Sequence, residues 1–166
     1  MSHEIRLRDV IVEDLPIFFE HQIDADAVEM AAHHPRDRDA FQEHWMELLS
    51  RESVIKKTIL LDDLVVGYII SFVYFGVREV GYWIGKEYWG QGIATRALLA
   101  FLDQVPLRPL RASVAKHNRG SMRVLEKCGF RLFGEDKEFS TIGGNAVEGF
   151  VFELGMTKLS FDKRLG

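Results

Sequence analysis

The amino-acid sequence predicts one α+β domain, in which helices flank a mixed and mostly antiparallel sheet. The chain has 166 residues, enough for one hydrophobic core, and no repeat or low-complexity segment divides it. Segments with an apolar period of two alternate with segments of helical period. Taken in sequence, these segments give the order β-α-α-β-β-β-α-β-α-β-β.

The first third of the chain predicts one strand followed by two helices. Residues 4–10 alternate apolar and polar side chains, as a half-buried strand does. Residues 14–22 predict a helix. Pro16 is compatible with this helix because proline is tolerated in a first helical turn. Residues 39–51 predict a second helix, because Phe41 and the apolar residues after it recur at helical spacing.

The middle of the chain predicts a meander of three strands. They run over residues 54–61, 64–74 and 78–85. Asp62 and Asp63 form a tight turn between the first two, and Gly76 starts the next turn. Links this short join antiparallel neighbours, because a parallel pair needs a long crossover.

The second half of the chain returns to a mixture of helices and strands. A helix begins at Ile93 after a glycine-rich loop and is stopped by Pro106. A second helix covers residues 118–128, with Asn118 as its N-cap and Gly129 just past its end. The predicted strands of this half are residues 110–116, 130–134 and 147–154.

Composition narrows the classes of function. A net charge of −4 argues against general nucleic-acid binding, and the apolar stretches are too short to span a membrane. The lone Cys128 cannot form an internal disulfide and no secretory signal precedes it, which indicates a cytoplasmic protein. Adjacent His33 and His34 would point in different directions, so we expect no metal site.

Charge is distributed unevenly along the chain. Residues 1–52 carry thirteen acidic and five basic side chains, a net of −8. Residues 108–131 carry seven basic side chains and one acidic one, a net of +6. These segments could hold two ligands of opposite charge, although solvated helix faces give the same pattern.

The clearest motif is the loop from Trp89 to Thr95, which joins a predicted strand to a predicted helix. Gly90 and Gly92 allow several backbone N–H groups and the positive helix end to face one point, as a pyrophosphate requires. The residues after Gly92 do not fit a P-loop, and Thr95 breaks the Rossmann pattern. The alternative is a tight turn that holds no ligand.

The second motif is the start of the helix that follows residue 118. Asn118 and Ser121 lie three residues apart, so their side chains share one side of the helix. Both can bind polar groups. Alternatively, Asn118 is simply a cap and Ser121 an exposed helix residue.

Together these motifs resemble the GNAT superfamily of acetyl-CoA-dependent N-acetyltransferases. Residues 89–95 look like the pyrophosphate loop of its RimJ/RimL-like branch, which acetylates ribosomal proteins. Asn118 and Ser121, with the segment 126–130 after them, resemble the second motif of that branch. The resemblance implies a single GNAT-fold domain over residues 1–156, followed by a C-terminal tail over residues 157–166.

The resemblance also implies a set of cofactor-binding residues for acetyl-CoA. The pyrophosphate would lie on Gln91, Gly92, Ile93, Ala94 and Thr95. The pantetheine arm would contact Asn118, and part of the basic segment would hold the 3′-phosphate. A backbone N–H among Trp83, Ile84 and Gly85 would polarise the thioester carbonyl.

In this superfamily the acetyl group passes directly to a primary amine. Many relatives carry a tyrosine acid where this chain has Leu125, so Ser121 becomes the candidate proton donor to the thiolate. Glu79 is the candidate base, unless it is an ordinary exposed carboxylate. The family builds its acceptor pocket from the first third, whose negative charge would attract a cationic amine.

Several alternatives remain open at this point. The acceptor is either a protein N-terminal α-amine or a small-molecule amine. A non-catalytic module that binds acyl-CoA and regulates a partner would carry the same cofactor residues. A homodimer is frequent among similar proteins.

Overall fold

The computed structural model describes residues 3–142 and 145–155. The predicted tail, residues 157–166, lies outside the described residues. Within them the structure has one seven-stranded sheet and five α helices, none of which is long and apolar enough to cross a membrane. The helices are α1 (Leu15–Gln22), α2 (Ala25–Ala31), α3 (Arg38–Ser50), α4 (Ile93–Gln104) and α5 (Arg119–Lys127).

All the predicted strands are present. They are β1 (Ile5–Asp9), β2 (Ile55–Leu61), β3 (Leu64–Tyr74), β4 (Val77–Ile84), β5 (Leu110–Ala115), β6 (Arg131–Ile142) and β7 (Asn145–Leu154). Strand β6 runs well past the predicted end at residue 134. Its charged outer part gives no alternating apolar pattern, because it forms an edge of the sheet and its pairing with β7 is irregular.

Helix α2 is the one α helix in the described part of the chain that the sequence did not predict. It is a seven-residue helix with a single buried residue, Ala27, so no apolar stripe announces it. It forms because Asp24 accepts hydrogen bonds from the amides of Asp26 and Ala27, both at 3.0 Å. Its last turn ends at Ala32, which is left-handed. The cap therefore stabilises a helix that no periodic apolar pattern predicts.

The sheet contains one parallel neighbour pair, and that pair opens a gap. The strand order is β1-β2-β3-β4-β5-β7-β6, and β4 beside β5 is the only parallel contact among the described strands. Their pairing holds at a single point, Glu79 opposite Arg111. Strands β3 and β4, in contrast, stay paired from Tyr74–Val77 to Gly67–Ile84. Beyond Glu79 the two parallel strands part, and the sheet splits.

Two hydrophobic clusters lie on opposite faces of this sheet. The larger one packs α4 and α5 against the strands, with Phe101 and Leu98 fully buried. The smaller one packs α1 and α3, and its centre is aromatic. There the Phe18 ring lies 5.2 Å from that of Trp45, which lies 4.9 Å from the ring of Tyr68 on β3. A gap in the sheet therefore opens towards a different set of helices on each face.

A buried ion pair fixes the first helix to the sheet. Asp14, just before α1, accepts hydrogen bonds from the Arg8 guanidinium at 2.7 and 2.8 Å and from the Thr58 hydroxyl at 2.6 Å. Burial alone would raise the pKa of Asp14, but hydrogen bonds from Arg8, Thr58 and the Ile11 amide bring it below the usual value. The carboxylate therefore stays charged, with both of its oxygens bonded.

Replacing Asp14 by Asn should lower the free energy of unfolding by about 3 kcal/mol, because Arg8 loses its charged partner in a buried site. The folded-state pKa of Asp14 is depressed, so its contribution is complete above the unfolded value and is lost as pH falls through the folded value. Urea unfolding across acidic pH measures both effects. Asp9→Asn, which breaks the exposed pair with Lys57, is the control and should cost about 1 kcal/mol or less. Equal losses in the two variants would contradict this account.

Candidate active site

The glycine-rich loop ends in a left-handed turn at the start of α4. Gly90 has φ 77° and Gly92 has φ 73°, a backbone region that residues with a Cβ rarely adopt. Gly92 is also the N-cap of α4, and no side chain caps this helix end. A Cβ at either glycine would meet nothing within 4 Å, so the space above the loop is open.

The backbone amides of this loop are free to bind a ligand. Among the described residues, no acceptor is found for the N–H groups from Gly90 to Thr95. On either side of them the amides are used: Trp89 donates to Lys86 at 3.1 Å, and Arg96 donates to Gly92 at 3.2 Å. Adjacent free amides at the positive end of a helix form an anion site that fits a pyrophosphate.

Strand β4 presents one further amide to the gap. The Gly85 N–H donates to the Val66 carbonyl at 2.9 Å. Because amides alternate along an antiparallel strand, the Trp83 N–H also faces β3, opposite Tyr68. The Ile84 N–H then faces the side from which β5 has parted. Of the three residues expected to polarise a carbonyl, Gly85 has its amide occupied and Ile84 has the amide that faces the gap.

A cavity of about 380 Å³ passes through the gap between β4 and β5. Its lining includes Phe41, His44 and Trp45 from α3 on one face of the sheet. From the other side it includes Asn118 and Ser121, at the start of α5. A larger groove of about 630 Å³ lies between α5, β6 and β7, but it contains none of the expected site residues. The smaller cavity is therefore the candidate active site.

Ser121 contacts a tyrosine that the sequence analysis did not identify. The Tyr82 hydroxyl lies 2.7 Å from the Ser121 hydroxyl. The side-chain carbonyl of Asn118 accepts the Ser121 amide at 3.2 Å, so Asn118 does cap α5. Burial raises the pKa of Tyr82 to about 12, and the hydrogen bond with Ser121 opposes this only in part. Tyr82 therefore keeps its proton at neutral pH and can donate it to Ser121.

Glu79 lies on the cavity wall at the point where the two strands part. Its carboxylate accepts a hydrogen bond from the Ser113 hydroxyl at 3.3 Å. Burial raises the pKa of Glu79, opposed by Ser113 and by the Arg111 charge. Glu79 is thus a half-buried carboxylate with a raised pKa. Within the described contacts it makes no hydrogen bond to Ser121.

The basic segment divides into two groups. Three of its side chains hold the fold together: Arg108 donates to backbone carbonyls, Arg111 pairs with Glu153, and Lys116 pairs with Glu148. Three others lie four residues apart on α5 and are exposed: Arg119, Arg123 and Lys127. Residues with this spacing share one helix face, so α5 carries an exposed positive stripe.

The acceptor side of the cavity is not acidic, contrary to the expectation from the net charge. The polar residues of the first third that line it are Gln22, His33, Arg36 and His44. No carboxylate of that third reaches the wall within the described residues. Its acidic residues instead cap helices and form surface pairs, as Asp37 does for α3. No group of three or more potential metal ligands is found in the described part of the chain.

Comparison with known families agrees with this architecture. The model of the acetyltransferase (GNAT) domain matches residues 4–131, so the chain belongs to the GNAT acetyltransferase family. The probable N-acetyltransferase YjcK of Bacillus subtilis (strain 168) is 34% identical over 91 residues, which cover 50% of each chain. The chain thus matches about half the length of its curated relatives.

Solved structures share the whole fold at low identity. RimL, a ribosomal α-N-protein acetyltransferase in complex with coenzyme A, has a TM-score of 0.79 at 16% identity, covering 93% of this chain and 96% of its own. The spermidine N-acetyltransferase from Vibrio cholerae, in complex with coenzyme A and spermine, has a TM-score of 0.79 at 18% identity. That match covers 90% of this chain and 94% of the other. Both likenesses concern the fold.

Replacing Gly92 by Val should weaken coenzyme A binding at least about tenfold, because a β-branched residue strains the turn and covers the free amides. Isothermal titration calorimetry measures the affinity. Gly76→Val is the matched control: Gly76 has φ 76° in the β3–β4 turn, and a Cβ there also meets nothing within 4 Å. The control should bind like the wild type. Unchanged affinity in Gly92→Val would show that the loop does not hold the pyrophosphate.

Proposed function

We infer that this protein transfers an acetyl group from acetyl-CoA directly to a primary amine. The observation that carries this inference is that the free loop amides, from Gly90 to Thr95, follow directly after β4, the strand whose Tyr82 and Glu79 line the cavity together with Ser121. The test is release of free thiol from acetyl-CoA over a panel of amines and peptides. Tight coenzyme A binding without turnover of any amine would instead favour the non-catalytic module.

Each free group around the cavity then has a function in binding. The amides from Gln91 to Thr95 hold the pyrophosphate, and Asn118 lies where the pantetheine arm passes. The exposed stripe on α5 supplies cations for the 3′-phosphate. The Ile84 amide donates to the thioester oxygen, on which negative charge grows during the reaction. Acetyl-CoA itself, when bound, supplies an activated acetyl thioester.

Ser121 and Tyr82 supply the proton that the departing sulfur needs. As the new C–N bond forms and the C–S bond breaks, Ser121 donates its hydroxyl proton to the thiolate. Tyr82 donates to Ser121 in turn, since their hydroxyls are 2.7 Å apart and Tyr82 remains protonated. The proton donor is thus a serine supported by a strand tyrosine, in place of the α5 tyrosine of many relatives.

Glu79 accepts the proton that the amine loses, directly or through water. The amine must be neutral to attack, and a peptide α-amine with pKa near 8 needs only about 1.4 kcal/mol for this at neutral pH. A lysine-like amine with pKa near 10.4 needs about 4.6 kcal/mol. A single half-buried carboxylate with a raised pKa is sufficient for the first case. This favours an α-amine as the acceptor.

Ser121→Ala should lower kcat about 100-fold with little change in KM, because proton delivery to sulfur belongs to the transition state. Tyr82→Phe should lower kcat about tenfold, since Ser121 keeps its own proton. Steady-state kinetics with a saturating amine measures both. Tyr74→Phe, which removes an exposed hydroxyl at the end of β3, is the control and should behave like the wild type. An effect of Ser121→Ala on KM alone would assign Ser121 to binding only.

Glu79→Gln should remove the acid limb of the kcat/KM profile. A base works only when deprotonated, so activity falls as the pH drops below the pKa of Glu79, which burial raises above its ordinary value of 4.5. The pH–rate profile of both proteins measures this limb. The control Glu43→Gln, on the exposed face of α3, should leave the profile unchanged. A limb that persists in Glu79→Gln would assign the base to another group.

The protein's cytoplasmic location and its dimeric state stay predictions. The first is supported by the single cysteine, Cys128, which is buried and unpaired. Sedimentation analysis of the purified chain tests the second.

A further inference from the structure

One wall of the cavity carries a cation that is not neutralised. Arg36, in the segment between α2 and α3, is half-buried and lines the cavity. Within the described residues its guanidinium forms no salt bridge, and Nη1 lies 3.5 Å from Nε2 of His33. The adjacent carboxylate, Asp37, caps α3. A cation left in this position is available to an anionic ligand.

The charge of Arg36 acts on the inside of the cavity. Burial lowers the pKa of both His33 and His44, and the charge of Arg36 lowers both further. Burial raises the pKa of Tyr68 on β3 to about 12, and Arg36 opposes this rise. All three groups line the same cavity as Arg36 and are neutral at pH 7. Neither histidine supplies a second cation or a counter-charge.

The single carboxylate of the wall lies at a different part of the cavity. Glu79 is at the parting of β4 and β5, and the charges that act on it are those of Arg111 and Asp136. Arg36 is not among them. The cavity thus has a carboxylate at one place, a cation at another, and aromatic walls from Trp45 and Phe72. The cation complements an acceptor that carries an anionic group close to its amine.

We propose that the acceptor is a small amine that also carries a carboxylate, of the α-amino-acid class, and that Arg36 binds this carboxylate. The proposal rests on the transferase function inferred above. A guanidinium binds a carboxylate through two parallel hydrogen bonds, which fixes the acceptor; its amine, one carbon from the carboxylate, then passes its proton to Glu79 through water. A cavity of about 380 Å³ is at the small end of ligand sites, which suits a molecule of this size. A polyamine would place a second cation beside Arg36.

The test compares acceptors that share a side chain and carry or lack the carboxylate, with each rate expressed per neutral amine because the three forms differ in amine basicity. Leucine, methionine and phenylalanine are each assayed beside their carboxamides and the corresponding amines without the carboxyl group, with spermidine as a further acceptor. Thiol release from acetyl-CoA gives kcat/KM for each. The carboxylate form should be the better substrate by at least about 100-fold in one or more of the three series.

Variants of Arg36 then show whether this preference belongs to the proposed site. Arg36→Gln should reduce the ratio of kcat/KM between amino acid and carboxamide to within a few-fold of one, chiefly through KM. Arg36→Lys should give an intermediate ratio, because it keeps the charge but loses the two-pronged geometry. Arg38→Gln is the matched control, since Arg38 lies two residues on and pairs with Glu20. It should keep the wild-type ratio.

The outcomes separate this proposal from the transferase function. If amines are acetylated without preference for the carboxylate, the proposal is overturned but the transferase function stands. The same holds if Arg36→Gln keeps the wild-type ratio of kcat/KM between amino acid and carboxamide. Turnover of peptides alone also overturns it. If no amine is acetylated, the transferase function fails. Calorimetry of the coenzyme A complex with N-acetyl amino acids against N-acetyl amines then tests Arg36 directly, and equal affinities overturn the proposal.

Discussion

The parting of β4 and β5 is the constraint on which the rest of the molecule depends. Two parallel strands that stayed paired would use each other's amides and carbonyls and would close the sheet. Here the pairing stops after Glu79 and Arg111, so the Ile84 amide is left facing a gap. Helix α4, which connects the two strands, begins at the same end of the gap with its own free amides. The proposed cofactor site is therefore made mostly of backbone.

The sequence predicts the local backbone conformation here well because its causes are local. Gly90 and Gly92 are needed for left-handed φ angles, and such a need is visible in the residue type itself. The helix start at Asn118 is visible for the same reason, because an Asn cap acts on an amide three residues away. The strands of the meander follow from their alternation and short turns. Family resemblance adds the identity of the ligand to these geometric features.

What the sequence did not predict depends on contacts between distant segments. Tyr82 and Ser121 are 39 residues apart, and their contact arises only when α5 packs on the face of β4 that carries Tyr82. Charge totals were misleading for the acceptor side, because a sum over 52 residues ignores which side chains reach the cavity. Arg36 does reach it, and the acidic residues around it do not. Helix α2 depends on a cap and little burial, which no periodic pattern records.

The division of the cavity between two faces has a consequence for the diversity of such proteins. The donor half is built from β4, α4 and α5, while the acceptor half is built largely from residues 22–48 on the opposite face. Substitutions in the second group leave the amides and the proton donor of the first group in place. New specificities can therefore arise by exchanging one short segment, and a library confined to that segment should alter selectivity while the chemistry is retained.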